Sequence, residues 1–334
     1  MPDNVTTGSM TRHWLGLGMR EAVMAMALLA GGAECVMGWV QLLGIAHSGH
    51  LLYPATGTFF NPGPYCAFLA IIIPVALACA MRSSNKVLTY GSMVYLVLAV
   101  GLMPVLIGRT GWIAAIAGGV VTYIGCKERR IRITLPQGII LTTLIIAGCI
   151  GLYFLKPASA MGRLLIWKTG LTAMLDKPLA GWGWDNVPGA LGQIQQEYFA
   201  IHPDSTYAAV AGSPEYAFNE YLQVGIAFGM PAMLLFVAAT IWIIRQAWRK
   251  KAYGYAGFFV AFAIVCLCSY PMQFNEFIIL VSLMALPMLS RIRVKWLATA
   301  ACLTVVGITT AAVSHTLRRN NAKKNWLGIR SAYI

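Results

Sequence analysis

Apolar residues in this chain come in long unbroken runs separated by short polar loops, without the half-apolar stripes of a soluble fold. Runs near 21–45, 63–81, 87–108, 111–126, 138–155, 220–244, 252–270, 274–290 and 295–314 each read as one membrane-crossing helix. A crossing takes about 20 mostly apolar residues, and a lone segment satisfies its backbone in lipid only as a helix. The expected fold class is all-α, a polytopic transmembrane helical bundle of about nine spans with one large extracytoplasmic loop. The fourth run is short and the eighth contains Pro287. The one sizeable stretch outside the runs is 156–219, rich in Gly, Pro, Trp and acidic residues. Within it, Leu164, Ile166, Trp167, Leu171, Met174 and Leu175 recur near helical spacing, which predicts an interfacial amphipathic helix over 162–175. Pro178 and Gly181 would end it.

Composition agrees. The chain is 58% hydrophobic and 11% charged, where a soluble domain carries roughly 25% charged residues. Its net charge of +14 does not mark a nucleic-acid partner, because the basic residues sit in short loops between apolar runs. Arg82 and Lys86, then Lys127, Arg129, Arg130 and Arg132, then Arg245, Arg249, Lys250 and Lys251, then Arg291, Arg293 and Lys295 fall on one side, while loops 46–62 and 271–273 have no Lys or Arg. The positive-inside rule makes the basic side cytoplasmic. That gives a cytoplasmic N-terminal segment over 1–20, spans one to five over 21–155, an outside loop over 156–219, and spans six to nine over 220–314. The basic tail 315–334, with Arg318, Arg319, Lys323, Lys324 and Arg330, then lies outside against the rule. No small-residue cleavage pattern follows the first run, so it reads as a retained span. The eight cysteines lie in or beside apolar runs with no Cys-x-x-Cys pair, and read as small buried residues with no disulfide or metal role.

Four polar motifs interrupt this pattern, all at the outer surface. Thr56-Gly57-Thr58-Phe59-Phe60-Asn61-Pro62-Gly63-Pro64 suits a turn leading into a helix; Asn61 and nearby backbone amides would line a polar site. Gly108-Arg109-Thr110-Gly111-Trp112 forms a tight reversal between spans, with Trp112 in the interfacial belt. Arg163-Leu164-Leu165-Ile166-Trp167 opens the amphipathic helix, where Arg163 and free helix-start amides would favour an anion. Tyr216-Ala217-Phe218-Asn219-Glu220-Tyr221 stands where the loop returns to the membrane. Arginine at membrane depth is costly and usually functional, and its planar fork grips phosphate in bidentate fashion. Each motif also has a plainer reading: a helix-start turn at Asn61, snorkelling at Arg109, a surface helix at 162–175, and a helix start at Asn219 and Glu220. The functional reading of Glu220 is a general base or substrate holder whose carboxyl is raised by partial burial. His202, the loop's one histidine, is a second candidate base. Glu34, inside the first run, calls for a polar partner; His47 and His50 read as ordinary loop residues.

In this order, the four motifs resemble the O-antigen ligase and polymerase superfamily of bacteria. Its Gly-Thr-Phe-x-Asn-Pro segment corresponds to 57–62, its Ser-Arg-Gly-x-Trp-like hairpin to 108–112, its Arg-x-x-x-Trp with Pro-Leu-x-Gly-x-Gly to 163–183, and its His-Asn-x-Tyr/Phe-Leu to 218–222. The resemblance implies a glycosyltransferase of the GT-C type, metal-independent and without a cofactor. It would move a glycan from undecaprenyl pyrophosphate to lipid A core, a growing glycan or a protein at the periplasmic face of the bacterial inner membrane. Membrane lipids are the other expected partners, and nucleic acid is not one. Arg109 and Arg163 match the family's pyrophosphate-holding arginines, with Asn61, Trp112, Trp167, Asn219 and Tyr221 in support.

The family's histidine, proposed as its base, is Phe218 here, which leaves Glu220 as the first candidate and Glu215 and His202 behind it. Family members commonly have about a dozen spans; the extra ones would precede residue 20. The tail reads as the start of a periplasmic helical-repeat domain, and the chain as truncated at both ends. Two other readings remain at this point: an inactive or accessory remnant of the family, and a flippase for a polyprenyl-linked sugar.

Overall fold

The computed structural model describes residues 18–128, 151, 154 and 157–289. The expected spans at 138–155 and 295–314, the segment 1–20 and the tail 315–334 fall wholly or mostly outside the described residues. The chain divides into two compact units, Met24–Pro271, and Met1–Val23 with Met272–Ile334. The described residues form ten α-helices: α1 Met19–Leu42, α2 Pro62–Arg82, α3 Lys86–Leu106, α4 Arg109–Cys126, α5 Pro157–Asp176, α6 Val187–Ile201, α7 Glu220–Phe228, α8 Met230–Arg249, α9 Tyr253–Cys268 and α10 Asn275–Leu289. Short 3-10 turns lie at Trp184–Asn186, Thr206–Val210 and Pro271–Gln273, and there is no strand among the described residues. The architecture is all-helical. Four helices are long and apolar enough to cross a membrane, namely α1, α2, α3 and α8, while α9 and α10 are shorter apolar helices.

Helix α2 is the hub of the Met24–Pro271 unit, packing on α3, α4 and α9. It starts where Asn61 Oδ1 accepts the Gly63 N–H at 2.9 Å and Pro62 and Pro64 preset the first turn. Small residues bring α4 and α9 together: a Cβ on Gly257 would strike Thr122 and the Gly118 carbonyl. This close approach substitutes for the hydrophobic drive that lipid does not supply. Thr122 Oγ1 seals the crossing by donating to the Tyr253 carbonyl at 3.2 Å. At the far ends of α2 and α4, Arg82 and Lys251 meet Glu128 at 3.4 and 3.7 Å. These half-exposed pairs add little stability. They do show that three of the basic loops converge on one end of this unit, as the charge pattern requires.

The structure revises three expected elements. The amphipathic helix runs from Pro157 to Asp176 instead of 162–175, so Arg163 lies inside α5 and not at its start. The stretch 156–219 is largely folded: α6 was not foreseen, because Gln193, Gln195, Gln196 and Glu197 mask its buried stripe of Val187, Ala190, Leu191 and Ile194. Finally, the expected span 220–244 is broken at Gly229 (φ 88°) into α7 and α8.

That break is closed by Pro178–Gly183. The N–H groups of Trp182 and Gly183 donate to the carbonyls of Ile226 and Ala227 at 2.8 and 2.9 Å, and Met230 N–H donates to Pro178 O at 2.7 Å. Exposed helix-end groups are thereby satisfied away from water. Gly181 (φ 68°) abuts the Ala227 backbone and Gly229 abuts the Leu179 carbonyl, leaving no room for a Cβ at either place. Around this clasp a core of Met174, Leu191, Ile194, Leu222 and Ile226 joins α5, α6 and α7.

Gly181→Ala and Gly229→Ala should each destabilise the protein by about 1–3 kcal/mol, from backbone strain and contact together. Gly192→Ala, in an exposed turn of α6 with open space around it, should be neutral or stabilising by up to about 1 kcal/mol. Thermal unfolding of the detergent-solubilised variants measures all three.

Candidate functional site

A cavity of about 400 Å³ opens at the end of the helices opposite Glu128. Its wall is built from the start of α2 (Asn61–Pro64), the α3–α4 junction (Leu106–Gly111), the first half of α5 (Ala158, Ser159, Gly162, Arg163, Ile166), Phe218, and Ser269 and Tyr270 beyond α9, with Tyr53 and Val210. All four sequence motifs contribute to it, although they are distant in the chain.

The junction explains how Arg109 is presented. Ile107 takes a left-handed conformation (φ 46°) to close α3, Gly108 turns the chain, and α4 begins at Arg109 with no side chain capping it. The positive end of the α4 dipole therefore faces the cavity, a favourable place for an anion. The expected helix-start amides beside Arg163 are not there, and those beside Asn61 are unavailable to a ligand. Pro62 and Pro64 have no N–H, and the Gly63 N–H is taken by Asn61. The amides of Gly57 and Thr58 are held by Gln41 and Glu34, with Thr58 Oγ1 on Glu34 at 2.6 Å. Glu34 thus holds the loop before α2.

Arg163 is the electrostatic centre. Its guanidinium lies over the Phe218 ring, 5.5 Å from the centroid, and no carboxylate pairs with it among the described residues. Burial pulls its pKa below the ordinary guanidinium value, and the nearby Arg109 charge adds to this, against the favourable influence of Cys268 and Tyr270. It stays protonated nonetheless. Two like charges in one partly dry cavity raise its energy when empty, and an anion relieves that repulsion.

Phe218 itself is strained, at φ 50°, a conformation rare for an aromatic residue. Its neighbours fix it: Ala217 N–H donates to Gln223 Oε1 at 2.8 Å and Leu222 N–H to Asn219 Oδ1 at 3.1 Å. Tyr270 meets Phe218 edge-on at 4.9 Å and stacks on Tyr216 at 4.8 Å. Burial, with Tyr216 beside it, pushes the Tyr270 phenol up to about 12, so it remains a donor at neutral pH. Sequence reading missed Tyr270, whose only signal was its position at the outer end of an apolar run.

The other expected site residues have different surroundings. Glu220 is fully enclosed at the start of α7, within electrostatic reach of Cys266 on α9, and does not line the cavity. The reason is local: Phe218 takes the cavity-facing position, and two residues later the chain is already helical. The partial burial expected for Glu220 is in fact complete. Glu215 is exposed and within electrostatic reach of Tyr270. His202 is exposed at the end of α6, stacked on Tyr198 at 4.7 Å, and outside the cavity wall. Trp112 donates through Nε1 to the Met103 carbonyl at 3.0 Å, Tyr221 through its hydroxyl to the Ala263 carbonyl at 3.4 Å, and Asn219 caps α7. Trp167 packs on the α5–α7 core. These four hold the frame of the site.

Residues 94–237 match the family model described as O-antigen ligase. Over that segment the chain is similar to the O-antigen ligase family. The segment runs from within α3 to within α8 and contains Arg109, Arg163 and Phe218, while Asn61 and Tyr270 lie outside it. No curated protein matches the chain. This similarity to the O-antigen ligase family, together with the apolar helices, points to a multi-pass membrane protein.

If Phe218 carries Arg163, Phe218→Tyr should leave oxyanion binding within about twofold of wild type, and Phe218→Leu should weaken it about tenfold through loss of the ring contact. Calorimetric titration of the solubilised protein with inorganic pyrophosphate reads both.

Proposed function

We propose that the cavity holds the pyrophosphate of an undecaprenyl-pyrophosphate-linked glycan, and that the protein transfers this glycan to an acceptor hydroxyl at the periplasmic face of the bacterial inner membrane. One observation carries the reading: Arg109 and Arg163, 54 positions apart, share a cavity with the uncapped start of α4. The convergence of basic loops around Glu128 supports the orientation, since the positive-inside rule makes that end cytoplasmic.

The chemistry follows from charge. The bond from the sugar's anomeric carbon to the phosphate oxygen breaks, and its electron pair stays on that oxygen. The arginines and the α4 dipole, already in place, stabilise the growing negative charge. The acceptor oxygen attacks the opposite face of the anomeric carbon, its proton passes to a base, and undecaprenyl pyrophosphate leaves. This single displacement inverts the anomeric centre. No metal or cofactor enters the proposal. Phe218 has no proton-accepting group, so the base is a different residue. Glu215, exposed and near Tyr270, now stands ahead of the enclosed Glu220, with His202 third. Phe218 also favours a second reading, an inactive or accessory member that binds lipid-linked glycan without transferring it. The acceptor is lipid A core, a growing glycan or a protein.

Three measurements test this reading. Arg109→Lys and Arg163→Lys should each lower glycan transfer about a hundredfold, close to the alanine variants, because lysine keeps the charge but loses the fork; full transfer in either lysine variant returns that arginine to headgroup snorkelling. Glu215→Gln should fold normally and lose transfer, while Glu220→Gln keeps it; the reverse result restores Glu220 as base. Ser205→Cys, in a background without native cysteines, should react with an impermeant thiol reagent in cells with a permeabilised outer membrane. Labelling only after lysis of the inner membrane would invert the topology.

A further inference from the structure

Helix α8 is the most exposed of the candidate spans, and one of its faces changes character along its length. Leu234 (62% exposed), Leu235 (71%), Ala238 and Ala239 give a bare apolar strip in its first half. Trp242 (45%) follows one turn on, then Arg245 and Arg249, both exposed and one turn apart. Trp242, Arg245, Gln246 and Arg249 enclose a shallow groove of about 170 Å³. Among the described residues neither arginine is paired with a carboxylate, whereas Arg82 and Lys251 share Glu128.

From this gradient we infer that the Trp242–Arg249 groove binds the headgroup of an anionic phospholipid, such as phosphatidylglycerol, whose acyl chain lies along Leu235 and Ala238. The dimensions fit. The eleven helical steps from Leu234 to Arg245 rise roughly 16 Å, about half the hydrocarbon thickness of a bilayer. That is the distance from a chain end near the midplane to its phosphate. Tryptophan sits where the ring belongs, at the interface. Two arginines on successive turns meet one phosphate with several N–H donors in the geometry that suits it, and anionic lipid is the phosphate that a membrane supplies to such a face. The groove lies toward the end of the unit where Glu128 collects the basic loops, remote from the Arg109–Arg163 cavity. The inference is independent of the proposed glycan transfer.

The test uses the full chain in mild detergent, titrated with phosphatidylglycerol or phosphatidylcholine and followed by native mass spectrometry. Wild type should retain phosphatidylglycerol at least about tenfold more strongly than phosphatidylcholine, and Arg245→Gln/Arg249→Gln should remove that preference. Arg245→Lys/Arg249→Lys should keep part of it, since charge survives and the fork does not. If the double glutamine variant does not fold, Arg245→Gln alone should still lower the preference severalfold. Equal retention of both lipids by wild type, or an undiminished preference in the glutamine variants, overturns the proposal. So does a wild-type dimer that the glutamine variant converts to monomer without lipid, which would assign the face to a second copy of the chain.

Discussion

A half-buried guanidinium with no carboxylate partner among the described residues dominates this structure. Removing an arginine from water is expensive, and a carboxylate is the usual compensation. Arg163 has an aromatic face in that role instead, with Phe218 beneath it and Tyr270 closing the side. A ring attracts a cation without neutralising it, so the full charge stays available to a ligand. Arg109 lies near enough to add repulsion, and the uncapped start of α4 adds more positive potential. Each of these features is unfavourable in an empty site, and together they describe a place made for a multivalent anion. The strain at Phe218 fits the same logic, because the chain accepts a rare backbone conformation to bring a ring under the arginine.

That arrangement depends on a frame well away from the charges. Arg163 rides on α5, and α5 is located by its packing on α7 through Gly170, Leu222 and Ile226. The α7–α8 break would leave carbonyls and amides unsatisfied without the Pro178–Gly183 segment, which supplies donors to one side and an acceptor to the other. The Pro-Leu-x-Gly-x-Gly pattern is therefore a backbone clasp, and its link to the site is indirect. The same division runs through the other motifs. Gly57, Thr58 and Asn61 are spent on holding the turn before α2, and Trp112 on pinning α4 to α3, while Arg109 and Arg163 line the cavity.

The helical class, most helix positions before residue 128, the sidedness of the basic loops and the two arginines were all legible in the chain. Each depends on local hydropathy or on the cost of burying charge, which a residue carries with it wherever it sits. The break at Gly229 was hidden because a glycine inside an apolar run looks like any other small span residue until a second segment supplies its missing hydrogen bonds. Helix α6 was hidden because its apolar stripe is narrow and interrupted by glutamines. The longer start of α5 moved the free helix-start amides from Arg163 to Arg109, a change of a few residues that no periodicity fixes.

By itself, then, the sequence determined that this chain lives in a membrane as helices and that two arginines stand at one surface. Which groups meet there was decided by tertiary structure alone. Glu220 and Phe218 are two positions apart and equally plausible on paper, yet one is enclosed toward α9 and the other lines the cavity. Tyr270, unremarkable in sequence, completes the aromatic wall. Facing depends on where a helix begins and on what packs against it, and both are set by hydrogen bonds and contacts between segments far apart in the chain.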